Sequence, residues 1–156
     1  DASSGTLGAN TSAPRTTLDV HEPFATIRDI PEDKGGGYVV YFGSGSLTTG
    51  KLYYLNSSGV WTLTQANASS NNGNAQLLGI ALGSAVSDGM LLRGVITMDY
   101  DMGDVGNPIY VSTTAGDMTA SPPTASGDFV RVLGYCLDDT HGQIWFNPDS
   151  AWVEIG

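Results

Sequence analysis

Asp99, Asp101 and Asp104 take the first, third and sixth places of the stretch DYDMGDVGN, and carboxylates at short intervals are one way a loop gathers oxygens around calcium. A helix-loop-helix calcium loop wants oxygens at places one, three and five, glycine at six and a bidentate acid at twelve. Here Gly103 stands fifth, Asp104 sixth and Tyr110 twelfth, so the pattern fails at each of those places. The spacing predicts a strand-to-strand turn over Asp99 to Asn107, with an irregular calcium site at Asp99, Asp101 and Asp104 as the alternative. Asp and Asn favour such turns by bonding their own backbone.

Acid pairs for glycoside hydrolysis must face each other across roughly 5 to 10 Å, a spacing that sequence does not display. Asp138, Asp139, Asp149 and Glu154 are candidates in that sense only, and surface charge is the plainer reading of each. The two histidines are His21, in the amino-terminal stretch, and His141, in the polar turn DDTHGQ. Neither stands beside a nucleophile, and no serine sits in a strand-turn-helix elbow. The glycine triplet Gly35 to Gly37 opens a strand instead of a helix, so it makes no phosphate cradle. No catalytic, cofactor-binding or metal-ligating residue is assigned, and the chain is expected to be no enzyme and to need no cofactor.

Cys136, the single cysteine, rules out an internal disulfide; in the alternating run VRVLGYCLD it reads as a small buried hydrophobe. Trp61, Trp145 and Trp152 could stack on sugars if exposed, yet each lies in a strand-like run, which favours packing in a core or between subunits. Asn10, Asn56 and Asn67 begin N-x-S/T triplets, which arise by chance in so Ser- and Thr-rich a chain.

The elements that would carry these residues are short apolar runs separated by turn formers. YVVYF, KLYYL, VWTLT, QLLGIAL, MLLRGVITM, NPIYVS, DFVRVLGYCL, QIWFN and AWVEI are rich in Val, Ile, Tyr, Trp and Thr, and several alternate with period two. No window carries a capped 3.6-residue apolar stripe. The expected fold class is all-β, an antiparallel barrel or sandwich of about nine short strands spanning residues 38–156. Asn56 to Gly59 reads as a hairpin turn. Thr64 to Gln76 and Thr119 to Asp128 read as long polar loops, the second stiffened by Pro122 and Pro123. Residues 1–37 differ: Asp1 to Lys34 hold Pro14, Pro23 and Pro31 with only short strand candidates at TTLDV and FATIRDI, and they read as an extended arm ending in a glycine hinge.

The 156 residues are 40% hydrophobic and only 14% charged, enough for one core and poor in helix-surface ion pairs. The formal charge of −10 repels nucleic acid and anionic lipid. No apolar run reaches the roughly 18 residues of a membrane-spanning helix, so membrane insertion is not expected, and the sequence reads as that of a soluble product.

Two phrases carry a resemblance. LGANTSAPRTTLDVHE resembles a G-x-x-x-x-x-P-x-x-x-L-D-V phrase of fibre and tail-fibre proteins of tailed bacteriophages. Leu47 to Gly156, through GKLYYL, LLGIALG, GMLLRGVIT, VGNPIYVSTTAGDMT and VRVLGYCLD, is similar to the carboxy-terminal β-domain of phage virion structural proteins, those of marine and cyanobacterial hosts included, and to small capsid-decoration barrels. The resemblance implies a non-enzymatic part of an extracellular phage particle, without a catalytic residue to carry over. Its implied partners are copies of itself, in a homotrimer, together with a fibre shaft or major capsid protein and a host-surface glycan. The leading expectation is the distal domain of a fibre or spike presenting polar loops to a host. A capsid-decoration protein clamping the head through its arm is the alternative, and a glycan-cleaving spike a further one.

Overall fold

A computed structural model describes residues 30, 32–70 and 72–156. The arm's strand candidates, His21 and Asn10 lie outside the described residues. Eleven strands follow in order: β1 Gly35–Val40, β2 Leu52–Leu55, β3 Trp61–Leu63, β4 Leu78–Ala81, β5 Met90–Thr97, β6 Pro108–Val111, β7 Met118–Thr119, β8 Phe129–Val130, β9 Val132–Asp138, β10 Gln143–Phe146 and β11 Val153–Glu154. Among the described residues there is no α-helix, only a single 3-10 turn at Val86–Asp88. The fold class is all-β, as the alternating runs require, and every one of the nine runs holds a strand.

One antiparallel sheet runs β3-β2-β4-β5-β10-β9-β6-β7, with β1 added against β5. β5 is its hub: β4 pairs with it at Met90 and Leu91, β10 at Gly94 to Thr97, and β1 along nearly its whole length. The sheet curls into a half-barrel. Its two margins are stitched by main-chain bonds, with Leu52 N–H donating to Gly116 O, Gly116 N–H to Thr64 O and Ala66 N–H to Ser112 O. β8 and β11 form a small second sheet, and Phe129 N–H reaches Ala66 O to tie it to the margin.

Alternation decides what most strands bury, and bulges in β5 and β9 bring Leu91 and Leu133 to the same side as Ile96 and Cys136. Ile96, Ile109, Val111, Leu133, Cys136, Ile144 and Phe146 point inward to a core completed by Leu52, Leu78, Ile80, Leu91, Met98, Met102, Met118 and Phe129; each such side chain taken from water contributes about 1.5–3 kcal/mol. β2 buries both faces. Tyr53 looks outward into a second cluster with Leu47, Trp61, Ala81 and Met90, covered by the segment after β1. Trp61 Nε1 donates to Phe42 O at 2.8 Å and Thr48 N–H to the Tyr53 hydroxyl at 2.7 Å, so the cover is fixed by the polar tips of the aromatics it shields.

Three expectations need correction. The glycine triplet is no hinge: Gly35, Gly36 and Gly37 are the first residues of β1, opposite Ile96, Val95 and Gly94. A Cβ at Gly35 or Gly37 would strike the β5 carbonyls of Val95 or Arg93, so these glycines serve close strand approach, and the sheet begins three residues before Tyr38. Thr64 to Gln76 is not a wholly exposed loop, since Thr64, Ala66 and Gly73 are buried; the main-chain stitching above draws in a stretch too poor in apolar atoms to be driven there alone. Within Thr119 to Asp128, Pro123 and Asp128 are likewise buried, and Thr119 belongs to β7.

Candidate functional site

The outward face of the sheet carries a row of aromatic side chains. Register sets Tyr38 opposite Arg93, Val95 opposite Trp145, Trp145 opposite Tyr135, and Tyr135 opposite Pro108. Cross-strand neighbours on one face stand close enough to touch, so the row runs unbroken from β1 to β6. Tyr38 is 69% and Tyr135 48% exposed, and Leu137 extends the patch along β9. The Arg93 guanidinium lies 5.6 Å from the centroid of the Trp145 ring, a cation–π distance.

At the start of β9 the two polar loops come together. Asp128 Oδ1 accepts from Ala68 N–H at 3.0 Å, while Gln65 Nε2 and Asn67 Nδ2 both donate to Thr113 O. Beside them is a shallow cavity of about 260 Å³ in which the hydroxyl residues Ser112, Thr113, Ser121 and Thr124 and the carboxylate residue Asp128 stand among apolar ones such as Pro123. The sequence named both loops without showing that they share one end.

Arg131 escaped the sequence reading. It interrupts β8 and β9, is 6% exposed, and its side chain donates to Asp149 O at 2.7 Å and to Gly73 O and Gln76 O at 2.8 Å. Burial pushes its pKa down, with Asp149 pulling the other way. The guanidinium is a clamp joining the Thr64–Gln76 segment to the chain after β10. The signal was present as a cation in the middle of the apolar run DFVRVLGYCL.

The acidic candidates are scattered. Asp99 to Asn107 connects β5 to β6 as a turn, with Asp101 Oδ1 accepting from Gly103 N–H at 2.8 Å and Asp104 Oδ2 facing Asn107 Nδ2 at 3.4 Å. Among the described residues no group of three or more His, Cys, Asp or Glu side chains is placed to hold a metal ion. Asp138 ends β9 and Asp139 opens the turn after it, whereas Asp149 N–H bonds Val132 O at the other end of that strand, and Glu154 is exposed in β11. β9 has seven residues, so Asp138 and Asp149 stand roughly 20 Å apart, beyond the reach of a hydrolytic pair. Asp138 Oδ1 lies 3.1 Å from exposed His141 Nδ1. Desolvation works to raise the Asp138 carboxyl, yet hydrogen bonds from His141 and Thr140 hold it below its ordinary value.

Cys136 is buried, its Sγ 3.1 Å from Gly103 O, and burial pushes its thiol up. Trp61 is core at 2% exposure. Trp145 faces outward, and Trp152 is half-buried edge-on to Phe129. The side chains of Asn56 and Asn67 are engaged in their own turns, accepting from Ser58 and Val60 and from Ser70 respectively.

No protein-family model, no curated protein and no solved structure matches this chain.

Proposed function

We propose that this chain is a non-enzymatic structural domain of a tailed-phage virion, the distal β-domain of a trimeric fibre or spike. What carries the reading is the outward aromatic row Tyr38, Trp145 and Tyr135 with Leu137 beside it. A contiguous exposed patch of this kind is the mark of an association surface, and it lies on a rigid sheet, where packing against sister chains needs no rearrangement. In a chain of charge −10 the row holds one charged residue, Arg93, so identical copies meet there without acid-on-acid repulsion.

The hydroxyl-lined loops at the start of β9 are the surface offered to a host glycan by hydrogen bonding. The chain reaches β1 elsewhere: Asp33 N–H bonds Thr97 O, and Thr97 faces Gln143 beside the β9–β10 turn. Loops and incoming chain thus take the two ends of β9, as a domain mounted at one end and presented at the other requires.

Gold-labelled antibody against this chain, applied to purified particles in the electron microscope, tests the reading. Label at the tips of tail fibres is the expected result. Label spread over the head would replace fibre by capsid decoration, and particles free of label would remove the virion role.

A further inference from the structure

β5 has neighbours on both sides, and their arrangement leaves β1 with an open edge. Gly94 stands opposite Phe146 of β10 and Gly37 of β1, and Met90 opposite Ala81 of β4 and Val40 of β1. A strand residue faces one partner on each side, so β4 and β10 share one side of β5 and β1 holds the other. Among the described residues β1 pairs with no further strand. Thr97 N–H donates to Lys34 O, and bonding residues alternate along an antiparallel ladder. Gly35, Gly37 and Val39 therefore turn their N–H and C=O groups away from β5.

Unpaired backbone along an exposed edge is a template for another strand, and edges that stay free are blunted with charge or proline. β1 reads GGGYVV and has neither. Gly36 and Gly37 are exposed and bring no side chain to screen the edge, and the aromatics Tyr38, Tyr41 and Phe42 are exposed as well. The margins of the main sheet are by contrast occupied: Trp61 N–H of β3 donates to Ser44 O, and Gly116 N–H, next to β7, to Thr64 O.

The occupant has to bring an unpaired strand of its own, and the chain ahead of β1 holds one. In residues 16–20, TTLDV, Thr16, Leu18 and Val20 alternate with Thr17 and Asp19, the period of a strand with one polar face. Ile30 stands with Thr140, His141 and Gly142, next to β10 on the other side of β5. The chain thus comes to β1 from the β9–β10 turn, away from the open edge of its own copy. Residues 21–34 reach up to roughly 45 Å when extended, enough to cross to an adjoining copy. We propose that residues 16–20 of one copy add as a strand to the open edge of β1 in the next, each copy donating to one neighbour and receiving from another, so that the exchange closes as a ring. The proposal rests on the trimeric part of the reading above. It adds a main-chain joint at β1, the strand on which the aromatic row begins with Tyr38.

Cysteine cross-linking in the full chain tests this. Gly36 is the receiving position, because a Cβ there meets nothing and its φ is not positive, while Cys136 is buried and takes no part. Chains carrying Gly36→Cys are co-expressed with differently tagged chains carrying Thr16→Cys, Thr17→Cys, Leu18→Cys, Asp19→Cys or Val20→Cys, then oxidised. A disulfide between the two kinds of chain is expected for at least one arm position, within the Cα spacing a disulfide tolerates. That position combined with Gly36→Cys in one chain should give a covalent species of three chain masses on a denaturing gel. Amide exchange of Gly37 and Val39 should be about tenfold slower or more in the unaltered chain than in Leu18→Pro. Links within single chains, links between two Gly36→Cys chains in their place, no link at any arm position, or equal exchange in Leu18→Pro would overturn it. A chain that sediments as a trimer and labels fibre tips without the cross-link loses only this joint. A chain that forms the link but is absent from particles keeps the exchange and loses the virion role.

Discussion

Lys51 Nζ lies 2.6 Å from Asp117 Oδ1, an ion pair between residues 66 positions apart. It bridges the seam where the margins of the half-barrel meet, next to the Leu52-to-Gly116 main-chain bond. Both side chains are about a third exposed, so solvent screens the pair, and Lys51→Met should cost only about 0.5–1 kcal/mol in urea unfolding at neutral pH. The hydrogen bond to Asp117 raises the Lys51 pKa against the opposing effect of burial. A raised folded-state value in a base gives stability that is complete below the ordinary lysine pKa and lost as pH rises through the folded one. The difference between wild type and variant should therefore close in strongly alkaline solution and shrink in high salt.

Arg131 offers the opposite case. Arg131→Met leaves the buried carbonyl of Gly73 and the part-buried carbonyls of Asp149 and Gln76 without their donor, and the expected loss is about 1–3 kcal/mol by denaturant unfolding. A change under about 1 kcal/mol would show that the clamp does not hold the Thr64–Gln76 segment.

Asp33 gives a pH signature of opposite sign to Asp138. Burial, then Asp99 and Glu32, push its carboxyl above the ordinary value. An acid whose folded pKa is raised is disfavoured once ionised in the fold, so its penalty is absent below the ordinary carboxylate range and grows as pH rises through the folded value. Asp33→Asn, which keeps a residue tolerant of the left-handed backbone at φ 56°, should stabilise the chain at neutral pH and lose that advantage in acid. Thermal melts of both chains across the carboxylate range measure it.

Cys136 should resist alkylation. Its thiol is buried and pushed up by desolvation, and a thiol reacts as the thiolate. Iodoacetamide at mildly alkaline pH should leave the native chain unmodified by mass spectrometry and label it fully after unfolding.

Much of this fold is legible in the sequence because strand alternation is local. The runs around Trp61, Ile80, Ile96 and Ile144 each mark a strand, and the alternating place of Cys136 marks its burial. What was missed depends on distant partners. The two-residue strand β7 exists because Tyr110 and Val111 of β6 are there to pair with it, and the break at Arg131 because three carbonyls from elsewhere converge on its guanidinium. Gly35 to Gly37 read as a hinge because the need for glycine lies in β5, not in β1. The outward row through Trp145 and Tyr135 was hidden for the same reason: alternation says which residues share a face, while register says which of them touch.

Self-association through that row is the claim on which the functional reading depends, and sedimentation equilibrium of the purified full chain tests it most directly. The expected species has three times the 16.2 kDa chain mass, falling towards a single chain when Tyr135→Glu is introduced on the outward face. A wild-type chain that sediments as one 16.2 kDa unit at every accessible concentration would contradict it.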